Sequence, residues 1–168
     1  MTAKPHPAVE RRHLANLFLS ANKAMQERAW DRLYEEGFTT ISVSHSRLLR
    51  FLRRHANGGR LGQFAEWAGI TQQSATYLVE HLESNGYVVR HPDPADGRAQ
   101  LINFTEKGRA AESILIGEFE AIEREMRARY GAELIDAMRG VLEEIATPWE
   151  AGHGVRKTRR PAAVGRER

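Results

Sequence analysis

The chain has 168 residues, 41% of them hydrophobic, which is enough for one domain with a real core. It contains no cysteine, which excludes disulfides, thiolate zinc sites and a thiol redox switch. The formal charge is +3, but Arg156, Lys157, Arg159, Arg160, Arg166 and Arg168 stand against Glu167 alone, so residues 155–168 carry +5 and residues 1–154 carry −2. The body is therefore not basic overall, and any field that attracts nucleic acid must come from local placement of charge or from the tail.

No apolar run approaches membrane-spanning length, and the segment from Met1 to Pro7 lacks an apolar signal core, so no membrane partner and a cytoplasmic location are expected. Residues 1–8 hold two prolines and are expected to be a disordered start. From Ala8 to about Tyr34 the spacing of Leu14, Leu17, Phe18, Ala21 and Met25, with Leu33 near the end, predicts a long helix stopped by Gly37. A second helix is expected from Ser42 or Ser44 to about His55, with Leu48, Leu49 and Leu52 as its core stripe. Arg47, Arg50, Arg53 and Arg54 decorate it, either as a solvated face or as phosphate contacts.

Asn57-Gly58-Gly59 is a turn, and Arg60-Leu61 is expected to form a short bridge to later strands. Gly62 or Gln63 then opens a helix reaching Ala68, with Phe64, Ala65 and Ala68 apolar. Gly69-Ile70 turns the chain into a further helix capped by Thr71. Ala75, Leu78, Val79 and Leu82 repeat as one buried stripe, while Gln72, Gln73, Thr76 and Tyr77 lie opposite. Neutral hydrogen-bonding side chains near a helix N-terminus are what a recognition helix presents to base edges in a major groove.

Asn85-Gly86 stops that helix. Tyr87 to His91 is β-prone, Pro92-Asp93-Pro94 is expected to end it, and Asp96-Gly97 is a strong turn pair. Arg98 to Phe104 returns as a second strand with alternating faces. Helix stop, hairpin with a charged tip and capped helix follow in the order of a winged helix-turn-helix.

Thr105 caps a long helix to Tyr130, in which Leu115, Phe119, Ile122 and Met126 recur, and Gly131 breaks it. A last helix is expected from Ala132 to Ala146, ended by Thr147-Pro148. Its Leu134, Ile135, Met138, Val141, Leu142 and Ile145 exceed what one domain face needs, so the terminal helices are expected to bury surface in a homodimer. The tail, residues 148–168, is basic and expected to be disordered, either a solubilising end or a non-specific DNA arm.

In its motifs the chain resembles the MarR family of bacterial transcription regulators. The resemblance rests on Gly69-Ile70-Thr71, the helix through Leu82-Glu83, the stop at Gly86, Arg90, the wing Asp93-Pro94-Ala95-Asp96-Gly97-Arg98 and the closing Thr105-Glu106-Lys107-Gly108. It covers roughly residues 12 to 147. Family members often carry Arg where this chain has Tyr77 and Gly97.

The fold expected is mainly α: a winged-helix DNA-binding lobe over about 42–105, with a small β-hairpin wing, and dimerisation helices over about 9–35 and 106–147. As the resemblance implies, the partner is double-stranded DNA, bound by a homodimer that acts most simply as a repressor. Gln72, Gln73 and Thr76 are candidates for base edges, with Thr71 capping their helix. Ser74 and Tyr77 are candidates for phosphate or base. Arg98 is expected in the minor groove with Asp96 holding its guanidinium, and Arg90 on phosphate.

The resemblance also implies control by a small molecule, often an aromatic acid, with Trp30, His45 and Trp67 as pocket candidates. Trp67 reads first as packing on the edge of the core, with the pocket as the alternative. No cofactor is expected. There is no nucleophile elbow, phosphate-binding glycine loop or His-Glu-x-x-His site, and the one histidine flanked by carboxylates, His81 with Glu80 and Glu83, lies on the recognition helix, where a metal would block DNA. The chain is thus read as a regulator and not an enzyme. A winged-helix adaptor that binds a protein and not specific DNA is the alternative.

Overall fold

The computed structural model describes residues 13–152, with side chains as far as Thr147. The expectations for residues 1–8 and for residues 153–168 of the tail lie outside the described residues, while residues 148–152, expected in the disordered tail, are helical, and His13 stands outside the first helix, although the spacing predicts a start at Ala8.

Helix α1 spans Leu14–Glu35. Only its C-terminal half is buried in this chain, through Ala29, Trp30 and Leu33; Leu14, Leu17 and Phe18 are exposed. A 3₁₀ turn, Val43–His45, leads into α2, Ser46–Arg54. The expected single helix from Ser42 or Ser44 is thus split, because the Nδ1 of His45 accepts the Ser42 backbone N–H at 3.1 Å and tightens the first turn. Leu48, Leu49 and Leu52 are buried as expected, and Phe51 joins them.

Gly59–Arg60 forms β1, which pairs antiparallel with β3. Leu61 belongs to the next helix and not to the bridge: α3 runs Leu61–Ala68. Gly69, at φ 64°, closes α3, with Gly69 N–H on Glu66 O and Ile70 N–H on Ala65 O. Helix α4, Gln72–Ser84, follows after three residues.

The wing strands are β2, Val88–Asp93, and β3, Asp96–Phe104, and the sheet order is β1-β3-β2. The expectation that Pro92-Asp93-Pro94 ends the first strand is corrected: Pro92 pairs with Gln100 within the ladder. β2 is an edge strand, where a residue without an N–H removes no bond to a further neighbour. The expected turn at Asp96-Gly97 is corrected as well. The two residues outside the ladder are Pro94 and Ala95, and Asp96 already pairs with Asp93. The Asp93 carboxylate accepts the Ala95 N–H at 2.8 Å, which sets this turn two residues early.

Helix α5, Glu106–Tyr130, starts at Thr105, whose hydroxyl accepts the Gly108 N–H at 3.0 Å. Helix α6 spans Ala132–Gly152 and so passes the expected stop at Thr147-Pro148. The Thr147 hydroxyl donates to Glu143 O at 2.7 Å, and one missing proline N–H near the end of a helix costs a single intrahelical bond.

The core lies where the C-terminal half of α1, helices α2 to α4, the sheet and the first half of α5 meet. Trp30, Leu33, Phe51, Phe64, Val79, Leu82, Tyr87 and Ile102 fill it. Helix α1 lies along α5, fastened where the Arg28 guanidinium reaches Glu118 at 2.6 Å and forks onto Glu125 at 2.6 Å. These hydrogen bonds raise the Arg28 pKa above its usual value and lower that of Glu125. Arg127 and Arg139 tie Glu123 of α5 to α6, Arg127 also reaching Asp136. Among the described residues no helix is long and apolar enough to cross a membrane.

Candidate nucleic-acid interface

Helix α4 is set by its two ends and its buried stripe. At the start, Thr71 is extended (φ −69°, ψ 153°) and its hydroxyl accepts the Ser74 N–H at 3.1 Å. At the end, Gly86, at φ 76°, lets the Tyr87 N–H reach back to Leu82 O at 2.8 Å. Ala75, Val79 and Leu82 are fully buried, which turns the opposite face outward.

That outer face carries Gln72, Gln73, Ser74 and Tyr77, with Thr76 half-buried at its edge. Tyr77 is 70% exposed, more than the other exposed large hydrophobic residues of the lobe, Val43 and Trp67. Thr71 and Ser74 are also engaged with each other, Oγ to Oγ at 2.9 Å, so both hydroxyls serve the cap as well as the surface. Of the nominated residues on this helix, Gln72, Gln73 and Tyr77 are left pointing away from the core.

The helix is held to the rest of the lobe through His81. Its Nε2 donates to Thr40 O at 2.8 Å, and its ring stacks on His45 with centroids 4.7 Å apart. His45 is buried, and its Nδ1 accepts an N–H, so the folded imidazole is neutral. Burial, then the neighbouring His81, push its pKa below the usual 6.5.

The wing stands beside α4, and Arg98 is exposed near its tip. The expectation that Asp96 holds the Arg98 guanidinium is corrected. Asp96 accepts the backbone N–H of Arg98 at 3.1 Å, and its other oxygen faces Arg60 at 3.7 Å. The reason is topological: β1 pairs with β3, which brings the Arg60 guanidinium under the wing first. Arg60 also binds the buried carboxylate of Asp93, by Nε at 2.7 Å and through Nη2. The Asp93 pKa is held below the ordinary carboxylate value, first by the Ala95 N–H and then by Arg60. Arg98 has no ion pair or side-chain hydrogen bond among the described residues.

Arg90 does not stand free for phosphate as expected. Its Nε faces Glu83 of α4 at 3.3 Å, which binds the first wing strand to the end of that helix. The three pocket candidates line neither of the two cavities described. Trp30 lies in the core against Tyr34, His45 lies against His81, and Trp67 packs on Phe51 at 5.9 Å with Arg54 over its ring. The cavities described at the wing and beside α5 are lined by other residues. The sequence carried no sign of the Arg60–Asp93 pair or the His45–His81 stack, which join residues 33 and 36 positions apart.

Residues 39–99 match the sequence model of the MarR family. The chain is 32% identical over 81 residues to the transcriptional activatory protein BadR of Rhodopseudomonas palustris, a match covering 48% of this chain and 43% of that protein. It is 30% identical over 97 residues to the uncharacterized HTH-type transcriptional regulator YkoM of Bacillus subtilis, covering 57% of this chain and 60% of that one. The chain thus spans about half the length of the curated relatives it matches. Its fold is similar to that of the S. aureus MepR–DNA complex, with a TM-score of 0.64 at 19% identity over 82% of this chain and 99% of that one.

Proposed function

We propose that this chain, which belongs to the MarR family, is a transcription regulator that binds double-stranded DNA as a homodimer, in the simplest case as a repressor on a pseudo-palindromic operator. The observation that carries this reading is the outward face of α4, with Gln72, Gln73 and Tyr77 exposed, beside a wing whose Arg98 guanidinium has no partner among the described residues. A solvent-facing amide row near a helix N-terminus fits a major groove, and an unpaired guanidinium on a hairpin fits the neighbouring minor groove. That the similarly folded MepR forms a complex with DNA supports DNA as the partner.

In this reading Gln72 and Gln73 meet base edges, since a glutamine amide pairs bidentately with adenine. Thr76 lies at the rim of the same face. Ser74 and Tyr77 meet phosphate or base. Two such helices in a dimer enter successive major grooves, with half-sites about one helical turn apart, ~34–36 Å. The uncovered apolar residues of α1 and α6 are the surface that pairs the subunits. A small aromatic effector, which the family resemblance implies, would act by changing the distance between the two recognition helices.

Fluorescence anisotropy at fixed salt tests the reading. The duplexes are the DNA upstream of the protein's own gene and a scrambled sequence, each with wild type and Arg98→Ala. Preferential binding to the native duplex, with about 1–3 kcal/mol lost in the variant, supports it. Equal weak binding to both duplexes, unchanged in Arg98→Ala, would overturn specific DNA recognition and leave the adaptor alternative. Loss of the chain raising transcription from the bound promoter identifies a repressor; lowering it identifies an activator.

A further inference from the structure

Three parts of the lobe meet at Thr40. Its hydroxyl lies 3.0 Å from the hydroxyl of Tyr87, which is fully buried just ahead of β2. Its carbonyl oxygen accepts the Nε2–H of His81, from the last turn of α4, at 2.8 Å. The His81 ring lies almost flat on His45, with 15° between the planes and 4.7 Å between centroids. One hydrogen bond and one ring stack thus fix α4 to the segment that leads into α2. His81 stands one turn beyond the exposed Tyr77, on the same side of the helix.

The two imidazoles meet a proton differently. The Nε2–H of His81 donates to a carbonyl, and a cationic ring keeps that bond. His45 has no such freedom. Its Nδ1 accepts the Ser42 N–H at 3.1 Å, so a proton on Nδ1 sets donor against donor and opens the Val43–His45 turn. With His81 also charged, two cations would lie face to face, one of them only 6% exposed.

The other charged groups around the pair are engaged or turned aside. Glu83 of α4 is bound to Arg90 of β2, Arg47 of α2 reaches Ala68 O at 3.3 Å, and Lys107 of α5 reaches Asn85 O at 2.8 Å. Glu80 is exposed and next to His81 in sequence, and adjacent helix positions do not face each other. Among the described residues, the charge that bears on His45 is that of His81.

We propose that His81 is a positioning residue for α4 and that its stack on His45 is a proton-operated latch, closed while His45 is neutral and opened by a proton on it. DNA affinity then falls in mild acid. This consequence rests on the DNA-binding reading; the latch itself does not. It goes beyond a loss of overall stability, since α4 is released while the lobe stays folded.

Anisotropy with the upstream duplex, at pH 7.5 and 5.5 and fixed salt, compares wild type with His45→Gln, whose amide oxygen can still accept the Ser42 N–H. Wild type should lose about threefold or more in affinity relative to the variant, one proton limiting the fall to about tenfold per pH unit. His81→Gln removes the second cation, keeps a donor for Thr40 O and should fall between the two. His91, exposed on the wing, acts with the opposite sign and is common to all three proteins. The same pH dependence in all three overturns the proposal.

In parallel, ¹H–¹⁵N spectra of the protein without DNA are followed over the same range. The amides of Ser42 and of residues 77–84 should shift with the midpoint of the His45 ring, while circular dichroism stays helical. Titration of His45 with the α4 amides unmoved, or unfolding of the whole lobe at that midpoint, overturns the latch. Should wild type bind no DNA at pH 7.5, the regulator reading fails by itself, and the spectra alone decide whether the latch exists.

Discussion

The guanidinium of Arg60, on β1, donates to the buried carboxylate of Asp93, on β2, at 2.7 Å, although the two strands are separated by β3. One side-chain pair thus spans the whole three-stranded sheet and anchors the edge strand near its turn. The same carboxylate accepts the Ala95 N–H, so it fixes the wing tip as well as the sheet. Asp93→Ala is expected to free the tip while leaving the lobe folded. Hydrogen exchange checks this: amide protection should fall at Ala95 and along β2, and stay unchanged in α4. Unaltered protection at Ala95 would show that the pair does not hold the wing.

Gly108 closes the lobe against a backbone atom. A Cβ there would lie 1.9 Å from the carbonyl oxygen of Tyr87, which cannot move without breaking its bond from the Thr105 N–H. Gly108→Ala is therefore expected to cost about 3 kcal/mol or more. Gly117, farther along α5, has nothing within 4 Å of a built Cβ, and Gly117→Ala should stabilise by roughly 0.5–1 kcal/mol. Urea unfolding of both variants measures the contrast, and equal effects would refute it.

Acid should weaken the lobe through His45. The pKa of this imidazole is lowered by burial and by His81, so the folded form stays neutral where the unfolded chain begins to protonate. Well above pH 6.5 the group contributes no pH dependence. As pH falls below 6.5 the unfolded chain takes up a proton that the folded chain refuses, and stability falls until the folded pKa is reached. Asp93, whose pKa is lowered from 3.8, contributes stability that is lost only in stronger acid. Denaturant unfolding at pH 7.5 and 5.5 should show a larger loss for wild type than for His45→Gln. An identical loss in the two proteins would remove His45 from the account.

The apolar side chains left outside the core test the dimer. Phe18 is 40% exposed on α1, and Ile145 is 61% exposed on α6. A charge placed in an apolar subunit contact is strongly unfavourable, while the same charge on a free surface costs little. Phe18→Glu combined with Ile145→Glu should give a folded species of 19.0 kDa by sedimentation equilibrium, with wild type at twice that mass. A monomeric wild type would sink the dimer reading.

The elements themselves were legible because their causes are local. Thr71 and Thr105 cap helices with their own hydroxyls, Gly69 and Gly86 take the positive φ that ends a helix, and the stripe of Ala75, Val79 and Leu82 needs only the helical repeat. These short-range rules were enough to place α4 and to turn Gln72, Gln73 and Tyr77 outward. They failed where a distant partner overrides a local preference. Pro92 is admitted to a strand because that strand lies at the sheet edge, and the turn falls on Pro94-Ala95 because Asp93 is engaged by Arg60 and Ala95.

The sequence by itself determined the order of helices and wing, the two caps and the polar face of α4, since each depends on residues within a turn or two. Only the tertiary structure decided which charges are spent and which are free. Asp96 serves the Arg98 backbone and Arg60, Arg90 serves Glu83, and the Arg98 guanidinium is left without a partner among the described residues. Ion pairing depends on which side chains the sheet brings within a few ångströms, and β1 adds Arg60 to the wing from about thirty residues upstream.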